Sequence, residues 1–297
     1  MLGRGAACAD VHKGMVGTDA CDGPYHVPSC LLRRRRLRFK ILLPLVLLLL
    51  LLAVFLGVPR IRHAADPDAL WRILTTHCLA TDRPRAADCV AVWPQPQLRS
   101  VVFKDNHGDF QFLLLPMDRI TGIEDARALR ADAPNYFAAA WDARGFVERA
   151  LGRPLPRQYL SLALNSPHGR SQEQLHIHVD CLHPQIRREL DAMQAQIGAA
   201  WRPLPQPLLG HRYLARRVPG ETLSANPLRL LAEDLPAGET MHDYSLVVVG
   251  DANPAPGFVL LATRVDPATG NRASGEELQD HACGLVTGAE QVLPGVR

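Results

Sequence analysis

Seven residues near the middle of the chain, Gln174-Leu175-His176-Ile177-His178-Val179-Asp180, alternate between polar and apolar side chains. A period of two belongs to an extended strand, in which alternate residues share a face. Gln174, His176 and His178 therefore point together, while Leu175, Ile177 and Val179 enter a core. Just upstream, Tyr159 to Leu164 reads as a second strand, and Asn165-Ser166-Pro167-His168-Gly169-Arg170-Ser171-Gln172 supplies the turn residues for an antiparallel return. The loop of this hairpin brings amide, hydroxyl and guanidinium donors near two imidazoles that share one surface.

Further elements follow from the same kind of reading. Ser100–Lys104 and Phe110–Leu115 flank the turn Asp105-Asn106-His107-Gly108-Asp109 and form a hairpin. Leu246–Gly250 and Gly257–Arg264 form another. Ala69 to Ala80 is expected to be a short helix, and the turn-rich stretch Pro84 to Pro96 a loop. Tyr136, Phe137, Ala140, Trp141 and Val147 are spaced for one amphipathic helix from Asn135 to Leu151, ended by Gly152. Pro184 opens a helix whose packing stripe is Ile186, Leu190, Met193, Ile197 and Trp201. Ser274-Gly275-Glu276-Glu277 has the form of a capping box, so a C-terminal helix is expected to carry His281 and Cys283. Strands in hairpins with a few helices indicate an α+β fold, an antiparallel sheet packed by helices on one side.

The N-terminal fifth is of a different kind. Ile41 to Val58 contains no charged residue and is mostly leucine. Its eighteen residues, at about 1.5 Å each, span roughly 27 Å, enough to cross a hydrocarbon core. Arg33, Arg34, Arg35, Arg36, Arg38 and Lys40 precede it, and such clusters remain cytoplasmic. The expected organisation is a basic tail over 1–40, an uncleaved transmembrane anchor over 41–58, a linker over 59–68 and a folded domain over 69–290 outside the membrane. The formal net charge of +3 resides in the tail and anchor, and the remainder is slightly acidic. No nucleic-acid surface is expected there.

The cysteines divide the same way. Cys8, Cys21 and Cys30 precede the anchor, while Cys78, Cys89, Cys181 and Cys283 form an even set in the exported part. Cys78 and Cys89 enclose a short loop. Cys181 lies an odd number of residues from His178, so it faces the core, where the C-terminal segment with Cys283 can meet it. Two disulfides are expected.

The histidine strand and its loop resemble the histidine-triad superfamily, in which an upstream Asn and a Gly/Ser/Gln-bearing loop accompany alternating histidines. The wider chain is similar to one branch, the membrane-anchored CDP-diacylglycerol diphosphatases. The likeness runs from Trp71 to Cys283 through Val102-Phe103-Lys104-Asp105, Gln111 to Pro116, Leu164-Asn165-Ser166, Gly169-Arg170-Ser171-Gln172, His176-Ile177-His178, Gly210 to Val218 and Asn271-Arg272-Ala273-Ser274. It implies a histidine-triad-like curved antiparallel sheet packed by helices. It also implies hydrolysis of CDP-diacylglycerol to CMP and phosphatidate without a cofactor, by an enzyme of the bacterial inner membrane, single-pass, with its catalytic domain in the periplasm and the lipid bilayer as partner. By the resemblance His176 attacks phosphorus, His178 hydrogen-bonds the phosphoryl oxygens, and Asn165, Ser171 and Gln172 bind phosphate. Two positions depart from the pattern. Gln174 stands where the first triad His is usual and is expected to bind phosphate through its amide. Arg119 stands where many triad hydrolases carry a His, and is expected to bind phosphate rather than move protons.

Two rival readings use the same residues. His176-x-His178-x-Asp180, with His183 nearby, resembles the ligand motif of metallo-β-lactamase-like hydrolases, although Cys181 occupies the place of the expected final His. A non-catalytic nucleotide- or lipid-binding module is the other. His211 with Arg212, Arg216 and Arg217 fits either an anion site or an exposed cationic loop. His168, His183, His242 and His281 read as structural or exposed.

Overall fold

A computed structural model describes residues 47–48, 66–82, 84–252 and 254–288. The chain divides into two units, Met1–His63 and Ala64–Arg297. In the first, only Leu47 and Leu48 are described, both helical and exposed. The tail, the rest of the 41–58 run, linker residues 59–65 and Cys8, Cys21 and Cys30 lie outside the described residues. No helix among the described residues is long and apolar enough to cross a membrane.

The second unit is an α+β domain built on one antiparallel sheet. Its strands are β1 (Cys89–Trp93), β2 (Ser100–Lys104), β3 (Phe112–Pro116), β4 (Leu160–Leu164), β5 (Ile177–Cys181), β6 (Arg202–Pro203), β7 (Leu214–Pro219), β8 (Tyr244–Asp251) and β9 (Gly257–Arg264), in spatial order β1-β2-β3-β5-β4-β8-β9-β7-β6. The helices are α1 (Ala69–Ile73), α2 (Tyr136–Asp142), α3 (Arg144–Leu151), α4 (Pro184–Met193), α5 (Pro227–Glu233) and α6 (Gly284–Thr287).

Register explains which face each histidine occupies. Opposed residues in neighbouring strands share a face. Leu113, His178, Ala163, Val247, Leu261 and Ala215 form one row across the sheet. On the other face Ile177, Val179 and Cys181 join Leu160, Leu162, Leu164, Leu246, Val248 and Leu260 in the largest core cluster, covered by α2, α3 and α5. The His178 face carries two smaller clusters. Leu70, Leu74, Val101, Leu113 and Leu115 gather around the Cys78–Cys89 pair, while Ala163, Val247, Val249 and Leu261 pack against Ile186, Leu190 and Met193 of α4. Strand β5 runs between β3 and β4, so the histidines lie in the gap between these two clusters.

Helices therefore cover both faces, not one. The strands carried that information: β4 (Leu-Ser-Leu-Ala-Leu) and β8 (Tyr-Ser-Leu-Val-Val-Val-Gly-Asp) are buried along their whole length, and near-continuous apolar runs mark strands covered on both sides. Other boundaries also differ from expectation. The 135–151 helix is two, broken at Ala143. Asn135 caps the first through its side chain, which accepts from Ala138 N at 3.2 Å, and Gly152 ends the second at φ 67°. The 69–80 helix is α1 followed by one π-helical turn, Leu74–Cys78. The stretch read as a loop contains β1, and the cationic 212–217 segment contains most of β7. Helix α4 stops at Met193, and Trp201 instead donates from its indole to Leu230 O at 2.9 Å.

The largest correction lies at the C-terminal end. Ser274 makes no side-chain cap, Gly275–Leu278 is a 3-10 turn, and His281 lies in the turn before Cys283, which itself sits at the N-cap of the four-residue α6. The capping-box carboxylate is engaged elsewhere, accepting from Tyr213 Oη at 2.7 Å and contacting His211 Nδ1 at 2.9 Å. The two disulfides are present as Cys78–Cys89 and Cys181–Cys283, with Cα–Cα distances of 5.4 and 5.2 Å.

Candidate active site

His176, immediately before β5, and His178 within it are both nearly inaccessible, and their ring centroids lie 5.0 Å apart. Their hydrogen bonds give them opposite roles. His176 Nδ1 lies 2.6 Å from Gln174 O. A carbonyl can only accept, so Nδ1 carries the proton and Nε2 keeps its lone pair. His178 Nδ1 accepts from Gln111 Nε2 at 3.0 Å, since an amide nitrogen can only donate. Nε2 of His178 is then the protonated nitrogen, and it is buried with no protein partner. One ring thus offers a lone pair and its neighbour an N–H.

Burial holds both rings neutral. It lowers His176 to about 4, with the neighbouring His178 adding to the effect, and it lowers His178 against the opposing pull of Glu276. Glu276 Oε1 lies 3.4 Å from His178 Nδ1. Burial raises the Glu276 carboxyl, but His178, Gln111, Asn165 and His281 together bring it below the ordinary carboxylate value. Asn165 is its clamp: Nδ2 donates to Glu276 Oε2 at 3.3 Å, and Oδ1 accepts from Glu276 N at 3.2 Å. His281 Nε2 is 4.0 Å from Glu276, and its Nδ1 is 2.6 Å from Asp180 Oδ2. Burial pushes Asp180 up to about 6 despite that contact, while the bond to Asp180 raises His281.

His176, His178, Asn165 and Glu276 line a cavity of about 650 Å³. Its polar lining includes Asn165, Arg170, Ser171, Gln172, Arg272, Lys104 and Glu276 beside the imidazoles, and its apolar lining is Ala69, Leu70 and Ile73 of α1 with Phe103 and Leu113. Arg170 is held by a two-pronged bond to Glu124 at 2.8 Å on each side and by Glu173 at 2.8 Å. It lies so close to Gly122 that a Cβ there would stand 2.3 Å from Nη1, so only glycine leaves it room. Gln172 lines the cavity but uses its amide on the domain's beginning: Oε1 accepts from Leu70 N at 2.8 Å and Nε2 donates to Asp66 O at 3.1 Å.

His176, His178, Asn165, Ser171 and Gln172 thus meet at one cavity, and two expected residues do not. Gln174 is fully buried and donates both amide hydrogens to main-chain carbonyls, Pro116 O at 3.1 Å and Asp118 O at 3.0 Å. It has no N–H left for a phosphate. Arg119 pairs with Asp68 and stacks over the Trp71 ring, outside the cavity lining. Gln174→Leu is expected to leave one buried and one half-buried carbonyl unpaired and to lower stability by about 2 kcal/mol, measured by urea unfolding. Gln174→His is expected to lower stability too and to leave the acidic limb of the activity profile where it was. A shifted limb would mean that position 174 exchanges protons with the reacting groups.

Much of the cationic 211–217 segment is paired internally: Arg216 with Asp234 at 2.8 Å, Arg217 with Asp251, and His211 with Glu277, while Arg212 is exposed. The metal-ligand reading of His176-x-His178-x-Asp180 also fails on geometry. Among the described residues these three are not a group with ligand atoms close enough to share one ion. Asp180 is turned toward His281 and accepts from Cys181 N at 2.7 Å, and His183 caps α4 by accepting from Gln185 N at 3.1 Å. Glu276, Gln111, His281 and Arg170 are the members that the sequence reading did not single out as site residues. Gln111 and Arg170 stood inside segments quoted for the resemblance, whereas nothing local distinguished Glu276 from its neighbour Glu277.

Compared with known proteins, residues 65–287 match the family described as CDP-diacylglycerol pyrophosphatase. The chain is also similar to a Yersinia pestis protein named CDP-diacylglycerol pyrophosphatase, at 42% identity over 236 residues that cover 77% of this chain and 86% of the relative.

Proposed function

The chain belongs to the CDP-diacylglycerol pyrophosphatase family and hydrolyses CDP-diacylglycerol, and from this premise we propose that His176 is the nucleophile. The observation that carries the reading is the pair of complementary imidazoles, a lone pair on His176 Nε2 beside the unpartnered N–H of His178. Nε2 of His176 forms a bond to one phosphorus of the diphosphate. The bond from that phosphorus to the bridging oxygen breaks, and the other phosphate leaves with the electron pair. His178 Nε2–H and Arg170 stabilise the charge that gathers on the non-bridging oxygens. Water then cleaves the phosphoramidate, its proton passing to the Glu276 carboxylate, which Asn165 and His281 hold in position. Ser171 binds the phosphate from the loop.

The α+β sheet with its histidines on a central strand supports a histidine-triad-like fold, and the uncharged 41–58 run behind a basic cluster supports a single-pass anchor in a bacterial inner membrane with a periplasmic catalytic domain. The paired cysteines of the folded unit support the same compartment. The apolar wall of Ala69, Leu70 and Ile73 suits the lipid side of the substrate, and the bilayer would supply it.

Rapid quenching of the protein with CDP-diacylglycerol in detergent, EDTA present, is expected to release CMP. It is also expected to yield an acid-labile, alkali-stable adduct on the peptide containing His176. An adduct on another residue, or turnover with no adduct on His176, would remove the histidine mechanism.

A further inference from the structure

We infer that His168, His242 and Asp243 form a binding site for one first-row transition-metal ion of the zinc type, separate from the catalytic histidines. Their ligand atoms all lie within 4.8 Å of one another. The two rings stand edge to face with centroids 5.0 Å apart, and both approach the same carboxylate oxygen: His242 Nδ1 is 3.5 Å and His168 Nε2 3.9 Å from Asp243 Oδ1. Tetrahedral zinc with bonds of about 2.0–2.1 Å needs ligand atoms roughly 3.3 Å apart. Small side-chain rotations about exposed bonds close that difference. Two imidazoles and one carboxylate favour zinc, nickel or copper over magnesium or calcium, which take oxygen ligands. His168 and His242 are both exposed, which leaves water access to the ion as the fourth ligand.

The placement gives such an ion a task. His168 belongs to the 165–172 loop that carries Asn165, Arg170, Ser171 and Gln172, whereas His242 and Asp243 lie in the 3-10 turn that leads directly into β8. The loop is already tied to the 272–274 segment, through Ser166 Oγ donating to Arg272 O at 2.8 Å and Arg272 Nε donating to His168 O at 2.7 Å. A metal across His168, His242 and Asp243 would fasten the same loop to the start of a central strand.

The test uses the full chain in detergent, stripped with a chelator and titrated with zinc alone. One equivalent is expected to bind, raise the melting temperature and slow amide exchange in residues 165–172, with magnesium giving neither effect. His168→Gln and His242→Gln, both at exposed positions, should each weaken zinc binding at least tenfold, and His176→Ala should leave it unchanged. Failure to bind, or binding that survives the double His168→Gln/His242→Gln change, overturns the site. So does binding that is lost in His176→Ala. Binding without slowed exchange in the loop overturns the fastening role.

Discussion

Replacing His176 with alanine is expected to lower turnover at least about a thousandfold, roughly 4 kcal/mol of barrier, because no other group offers a lone pair at that position in the cavity. His178→Ala should slow the reaction less, since it removes one hydrogen-bond donor and leaves the attacking lone pair in place. The pH dependence should differ from that of an ordinary histidine enzyme. Burial lowers His176 to about 4, so the neutral, attacking form persists well below 6.5, and the acidic limb of kcat/KM should fall near pH 4. The same shift affects stability. A group with a depressed folded pKa contributes stability that is present above its unfolded value of about 6.5 and is lost as pH falls through the folded value of about 4. His176→Ala removes that dependence, so the variant should lose less stability than the parent between those limits, by on the order of 3 kcal/mol. Urea unfolding at several pH values reads the difference, and an unchanged turnover would end the covalent mechanism outright.

Breaking Cys181–Cys283 is expected to have the next largest effect. The bond closes a loop with a sequence separation of 102, against 11 for Cys78–Cys89. In the chain-entropy account these correspond to roughly 4–5 and roughly 3 kcal/mol of stabilisation. Converting Cys181 and Cys283 to serine together should therefore lower the urea midpoint more than the same change at Cys78 and Cys89. It should also reduce activity, because Cys283 follows His281 by two residues and His281 holds Asp180 and faces Glu276. A larger loss from the shorter loop would show that packing in the smaller cluster, and not chain closure, sets the cost.

The two histidines and their hairpin were legible because a period of two is a local property, written in seven consecutive residues. The disulfide pairing was legible for a related reason: parity along β5 put Cys181 on the covered face. Glu276 was not. It reaches the site only because Asn165, 111 residues away, captures its main chain and its carboxylate, and no local pattern encodes such a meeting. Gln174 illustrates the opposite error. Parity placed it with the histidines, but it lies ahead of β5, and two carbonyls at and just beyond the end of β3 take up its amide. The second helical layer was missed because the alternation of the histidine strand suggests one free face, while β4 beside it and β8 beyond already read as strands covered on both sides.

The grip of Gln172 on the main chain at Asp66 and Leu70, joined by Glu173 N donating to Pro67 O at 2.7 Å, makes the reactive centre depend on a borrowed piece of chain. Residues 66–73 form no strand of the sheet, yet Ala69, Leu70 and Ile73 line the cavity that His176 lines. A protein trimmed to begin at β1 would lose the Cys78–Cys89 bond and the packing of Leu70 and Leu74, and would be open to bulk water at the place where dryness sets the chemistry. The proton affinity of His176 would climb back toward that of a free imidazole. The stretch ahead of the first strand thus tunes the chemistry of a site to which it gives no reacting group.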